Sequence, residues 1–213
     1  FNNHYHGTGG PLTVSSYTTP HPWGARFIDA AQQNGMPLNP DFNGTNQHGC
    51  GFYQATIRDG QRCSTALAFL EPAKTRPNLT IQTHATVLKI LIENNCAVGL
   101  EYLRRGVLEH ARAASEVVLC GGAFNSPHLL MLSGIGHARE LEMHGIQVKL
   151  DLPGVGKNLQ DHLAVPVGCE MTQQLSMGAM STVDRQAAMA QYDQDRTGPM
   201  ASNLFEVGGF ASV

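Results

Sequence analysis

The strongest metal candidate is the pair His4-x-His6, drawn from 10 histidines in 213 residues. Beside Asn2 and Asn3 the pair could hold a cation weakly. A stable site needs a third ligand at characteristic spacing, and none follows, so no metal is expected. The 5 cysteines, Cys50, Cys63, Cys96, Cys120 and Cys169, are widely spaced and form no CxxC pair. That usage fits a reduced intracellular protein. A serine nucleophile needs a GxSxG elbow, and Leu132-Ser133-Gly134 lacks the first glycine. A dinucleotide cradle needs GxGxxG between a strand and a helix. Gly7-x-Gly9 runs into Pro11-Leu12, Gly134-x-Gly136 follows a helix, and Gly154-x-Gly156 has no third glycine. What remains is Gly121-Gly122-Ala123, followed by Ser126-Pro127. Small residues at a strand end let another group approach the backbone, and the amides of a helix start attract an electron-rich group. The same residues also suffice for a tight strand-to-helix turn with nothing bound.

The elements that would position them follow from periodicity and punctuation. Gly7, Gly9, Gly10, Pro11, Pro20, Pro22, Pro37 and Pro40 make the first fifty residues loop-rich, interrupted by a helix over Ala25 to Asn34 that stops at Gly35. Ser64 caps a second helix over Thr65 to Leu70, ending before Pro72. Leu79 to Thr83 alternates as a strand does. Val87 to Ile92, a turn at Asn94-Asn95, Ala97 to Leu103, a turn at Arg104-Arg105-Gly106 and Val107 to Ala113 read as a three-stranded meander. Glu116 to Cys120 reads as a buried strand closed by Gly121-Gly122. A helix is expected to start at Ser126-Pro127 and end at Ser133-Gly134, with another from Ala138 to His144 stopped by Gly145. The chain is then loop-like to Gly156 and strand-like over Leu163 to Met171, and Gln173 to Met200 has no clear pattern.

Composition narrows the class. Hydrophobic residues are 42% of the chain, enough to bury a core, while charged residues are 15% and the net charge is −3. No basic stripe points to nucleic acid. No apolar run is long enough for a transmembrane segment. The start at Phe1-Asn2-Asn3-His4 has neither a signal pattern nor an initiator Met, so processing or truncation is expected. The location implied is cytoplasmic, or peripheral to the inner membrane.

The string Gly121-Gly122-Ala123-Phe124-Asn125-Ser126-Pro127-His128-Leu129-Leu130-Met131-Leu132-Ser133-Gly134-Ile135-Gly136 resembles the second signature of the glucose–methanol–choline (GMC) oxidoreductases. Four further strings agree in order. These are His6-Gly7 with Gly10-Pro11-Leu12, Asp59-Gly60 through Pro72, Leu152-Pro153-Gly154-Val155-Gly156-Lys157-Asn158-Leu159-Gln160-Asp161-His162, and Gly198-Pro199 with Ala201-Ser202-Asn203 and Glu206. The last is similar to the choline and alcohol dehydrogenase branch. The resemblance covers nearly the whole chain and implies a central portion of a family member, well under half of it.

The resemblance implies an FAD enzyme that oxidises a primary, choline-like alcohol to the aldehyde by hydride transfer to the flavin. Val87 stands where family members meet the flavin's adenine through a valine backbone; by sequence alone it is a core strand residue. Gly121, Gly122, Ala123 and Ser126 would lie against the cofactor. Glu206 matches a carboxylate placed near a cationic head group, which aromatic faces also attract; a structural role for it stands beside that one. His162 reads as a hydrogen-bonded structural histidine. The family's dinucleotide fingerprint lies upstream and its catalytic histidine downstream of these residues, so the catalytic residue is unknown here and tight FAD binding is not expected of this chain alone.

The fold class implied is α+β, the central part of a two-domain flavoenzyme. It would comprise a substrate-half segment at 1–44, an FAD-half segment at 45–155 with the meander against it, and the start of an antiparallel-sheet substrate domain at 156–213. The partner would be a small-molecule alcohol, with the electron acceptor unknown. The competing readings are a non-catalytic truncated module and a parent acting on neutral aliphatic alcohols.

Overall fold

The structure, a computed structural model, describes residues 4–169, 172 and 177–211. It mixes helices with small sheets and divides into two compact units, Phe1–Leu79 with Cys169–Val213, and Thr80–Gly168.

The first unit opens with α1, Pro22–Gln33. It starts ahead of the expected Ala25 because Pro22 is preorganised for the first helical position, and His21 Nδ1 accepts the Trp23 amide at 3.2 Å. Asn34 and Gly35, at φ +85°, close it. Strands β1 (Gly49–Phe52), β2 (Ile57–Arg58) and β3 (Gln61–Arg62) follow. Ser64 Oγ accepts the Leu67 amide at 3.3 Å, capping a π-helical turn, Ala66–Leu70, that continues into α2, Glu71–Ala73. The expected stop before Pro72 does not occur, because Pro72 stands in the first turn of α2, where its missing N–H is tolerated.

The second unit is built on β4 (Ala85–Glu93), β5 (Cys96–Arg104) and β6 (Val107–Arg112), paired in that order and antiparallel throughout. This is the expected meander. Asn94 and Asn95, at φ +50° and +62°, make its first turn, and Arg105 and Gly106 its second. Gly99 has to be glycine, since a Cβ there would strike the Ala111 carbonyl of β6. Helix α3 spans Gly122–Leu132, β7 Ile135–Gly136, α4 Ala138–Met143 and β8 Leu150–Asp151, with β8 parallel to β7.

The chain then returns to the first unit with α5, Thr182–Asp195, capped by Ser181 Oγ on the Asp184 amide at 3.1 Å. Strand β9, Val207–Phe210, pairs antiparallel with β1. Among the described residues no helix is long and apolar enough to cross a membrane.

Three expected strands are not strands. Residues 79–83, 116–120 and 163–169 carry no ladder. Their patterns are those of strands, but none of them pairs with a strand of the described residues. Val118 is 70% exposed and Leu163 93%. Glu170 and Met171, the end of the third, lie outside the described residues. The helix expected from Ser126 starts at Gly122 instead, with Pro127 inside it. Gly122 at φ +80° turns the chain into the helix early, and Ser126 Oγ reaches back to accept the Gly121 amide at 3.1 Å.

One contact ties the meander to α3. Among the described residues the outer edge of β4 has no strand partner, and the buried Ile90 amide donates to Ser133 Oγ at 2.8 Å, while that hydroxyl donates to the Leu129 carbonyl at 2.6 Å. Ser133→Ala strands the Ile90 N–H and should cost about 1–3 kcal/mol. A thermal melt should show a midpoint lower by about 2–12 °C, with Ser133→Thr close to wild type. An unchanged Ser133→Ala melt would mean water replaces the hydroxyl.

Candidate functional site

The first unit holds a cavity of about 720 Å³ whose lining includes Trp23, Phe27, Leu204, Phe205, Glu206 and Val207. Three elements converge to make it. Strand β9 is fixed by its ladder with β1, which the Tyr53 amide extends to the Glu206 carbonyl at 2.8 Å. Helix α1 packs closely on that pair, since a Cβ on Gly24 would lie 2.7 Å from Phe52 and 3.0 Å from Val207. The start of α1 then meets the Glu206 side chain, where the His21 amide donates to Glu206 Oε2 at 2.6 Å.

Glu206 is 6% exposed. Among the described residues no Lys or Arg pairs with it. A carboxylate removed from water in this way is stabilised when a cation joins it. Trp23, the chain's only tryptophan, and Phe27 stand one helical turn apart on α1, so both reach the same cavity. Sequence reasoning did not find this pair, because the helix was expected to begin after Trp23; Pro22 was the signal that placed Trp23 inside it. The Tyr17 hydroxyl lies close by. Burial raises its pKa, the negative charge of Glu206 adds to that, and a hydrogen bond to Asn203 works the other way. The phenol therefore stays protonated and donates to Asn203 Oδ1 at 2.6 Å.

The second unit holds a cavity of about 730 Å³ lined by Ala85, Val87, Cys120, Gly121 and Ser126 among others. Val87 on β4 and Gly121 and Ser126 at the start of α3 thus share one cavity despite their distance in sequence. Gly122 and Ala123 are not on its lining; they are the first two residues of α3, whose amides have no acceptor within the helix. A Cβ on Gly122 would meet no atom within 4 Å. Small residues and helix-start amides beside a cavity suit an anionic group such as a phosphate.

The histidine pair goes elsewhere. His6 Nε2 lies 2.8 Å from Asp41 Oδ2, and His4 packs edge-on to Tyr5. Among the described residues no three His, Cys, Asp or Glu side chains gather as a metal site would require. His162 is exposed, and its backbone amide donates to Asp161 Oδ1 at 2.8 Å.

Comparison with known proteins gives these cavities a context. The family model described as GMC oxidoreductase matches residues 2–164. The human protein named choline dehydrogenase, mitochondrial, is 43% identical over 207 residues, 97% of this chain and 35% of that protein. An alcohol dehydrogenase [acceptor] of Pseudomonas putida is 43% identical over 212 residues, 98% of this chain and 38% of that one. Among solved structures, the formate oxidase of Aspergillus oryzae superposes with a TM-score of 0.81 at 32% identity, covering 97% of this chain and 37% of that one. An FAD-dependent oxidoreductase from Chaetomium thermophilum gives 0.81 at 26% identity, covering 94% and 36%. The chain spans little more than a third of the length of these relatives. A family model that runs across most of the chain, together with relatives and solved structures that align nearly end to end with it, leaves one assignment: this chain belongs to the GMC oxidoreductase family.

Proposed function

We propose that this chain is a segment of a longer FAD-dependent dehydrogenase that oxidises a primary alcohol bearing a quaternary ammonium head, of which choline is the simplest, to the aldehyde. The observation that carries the reading is Glu206: a buried carboxylate without a Lys or Arg partner among the described residues, in a cavity walled by Trp23, Phe27 and Phe205. A quaternary ammonium has no N–H to donate. It is held by charge and by the faces of aromatic rings, and this cavity offers both. Glu206 would bind the head, the aromatic wall would exclude water around it, and the hydroxyl end would point away from the carboxylate.

The second cavity fits one end of FAD. Val87, Gly121 and Ser126 would line it, with Gly122 and Ala123 presenting the free amides of α3 to an anionic group. When bound, the flavin supplies the hydride acceptor for the oxidation. We assign no catalytic base to this chain, and the electron acceptor that follows the flavin is open. The expected domain halves, 1–44 and 156–213 for substrate and 45–155 for FAD, remain part of this proposal.

A second reading has its own support. The alcohol dehydrogenase of Pseudomonas putida is as similar as the human choline dehydrogenase, and the His21 bond gives Glu206 a structural task. Under that reading the substrate is a neutral aliphatic alcohol.

The cofactor arrangement is tested on the 213-residue chain itself. It contains no GxGxxG loop, so after incubation with FAD and gel filtration it should emerge colourless and without alcohol turnover with an artificial acceptor. A yellow, stoichiometric complex, or turnover above a heat-killed sample, would show that the chain carries more of the flavin site than we assign.

A further inference from the structure

The wall of the Glu206 cavity contains a backbone that side chains do not adopt readily. Leu204 has φ +73°. A left-handed conformation costs a non-glycine residue because its Cβ crowds the following carbonyl, and Leu204 gains nothing by local side-chain hydrogen bonding, as Asn or Asp would. Something must hold it. The Leu204 amide donates to Ser202 Oγ at 3.0 Å and the Phe205 amide to Asn203 Oδ1 at 3.1 Å. Both are bonds within the loop itself. The third hold comes from far away in sequence: the Tyr17 hydroxyl donates to the same Asn203 Oδ1 at 2.6 Å.

Tyr17 is not alone in this. The Gly198 amide donates to Thr19 Oγ1 at 3.2 Å and the His21 amide to Glu206 Oε2 at 2.6 Å. Three alternate residues, 17, 19 and 21, thereby stitch the approach to α1 onto the segment from Gly198 to Glu206. The outer two stitches bracket Leu204 and Phe205, both of which line the cavity.

We propose that Tyr17 is a positioning residue for the cation pocket: through Asn203 it holds Leu204 left-handed, so that Leu204, Phe205 and Glu206 face the cavity as one preformed wall. This rests on the cation reading of Glu206. Tyr17 does not line the cavity; it acts through the loop. A wall already in place binds without the entropy cost of ordering it, so losing the clamp weakens binding rather than abolishing the fold.

The test uses the full-length flavoenzyme containing this chain, with Tyr17→Phe, Leu204→Asn and the double variant. Two quantities are measured: hydrogen–deuterium exchange of the peptide spanning 202–206, and the Kd of tetramethylammonium by calorimetry. Tyr17→Phe should speed exchange at Leu204 and Phe205 and raise the Kd about five- to tenfold, with the melting temperature nearly unchanged. Asn tolerates the left-handed region. Leu204→Asn in the Tyr17→Phe background should therefore restore much of the lost exchange protection, which a general loosening of the fold would not allow. If Tyr17→Phe leaves exchange and Kd as in wild type, the clamp is wrong while the cation reading stands. If exchange changes but wild type itself does not bind tetramethylammonium, the cation reading fails and the pocket role of the clamp falls with it. Exchange at residues 204 and 205 that stays fast in the double variant overturns the positioning role.

Discussion

In the full-length enzyme, Glu206→Gln should lower kcat/KM for choline about 30-fold or more. It should leave nearly unchanged the neutral isostere in which a tert-butyl group replaces the trimethylammonium. Glutamine keeps the shape and keeps an oxygen to accept the His21 amide, now 2.6 Å from Oε2, so the start of α1 is preserved. What disappears is the charge. Glu206 is 6% exposed, and removing one member of a desolvated charge pair typically costs about 2–5 kcal/mol, each 1.4 kcal/mol being about a factor of ten. The tert-butyl substrate presents the same volume to Trp23 and Phe27 without a charge to lose. If both substrates lose efficiency alike and the melting temperature falls with them, Glu206 is a cap for α1 and little else. The neutral-alcohol reading then takes over.

Local signals made part of this fold legible and left another part hidden. The meander from Ala85 to Arg112 could be read because its information is local: paired left-handed Asn94-Asn95, Arg105-Gly106, and apolar runs between them. Glycine stops were equally readable, as at Gly35 and Gly145. The segment at 79–83, by alternation, that at 116–120, as a short apolar run, and that at 163–169 read as strands for equally local reasons, yet form no strand. Such a pattern says that a segment can pair; it does not supply the partner. The exposure of Val118, Val165 and Val167 shows apolar side chains with no protein packed over them among the described residues.

The site was legible only in part, for the same reason. Glu206 stood out through resemblance, but its neighbours Tyr17, His21 and Trp23 are about 185 residues away in sequence, and no periodicity links them. Ser126-Pro127 misled in an informative way. The dipeptide is a strong helix start, yet Gly122 opened the helix earlier because a left-handed glycine turns the chain at once. Pro127, inside α3, costs that helix a hydrogen bond.

The flavin reading can be tested by comparing two glycines that are alike in everything but place. Gly122 and Gly145 have φ +80° and +69°, and a Cβ on either meets no atom within 4 Å. Alanine at each should therefore cost the same left-handed strain, about 1–2 kcal/mol, and no steric clash within the chain. Gly145 follows α4, and none of residues 138–145 lines the cavity of the second unit, whereas Gly122 opens α3 next to Gly121, which lines it with Val87 and Ser126. If FAD lies against the start of α3, the methyl of Gly122→Ala intrudes on it. Forcing one extra carbon into a filled site typically costs about 1–3 kcal/mol, so FAD affinity should fall by about fivefold to 150-fold. Gly145→Ala should bind FAD as wild type does while losing similar stability. Reconstituting apoenzyme with FAD, followed by the quenching of flavin fluorescence, gives both affinities, and thermal melts of the apo forms give the strain. Equal FAD affinity in the two variants would leave Gly122 as a turn glycine and move the cofactor away from the α3 amides.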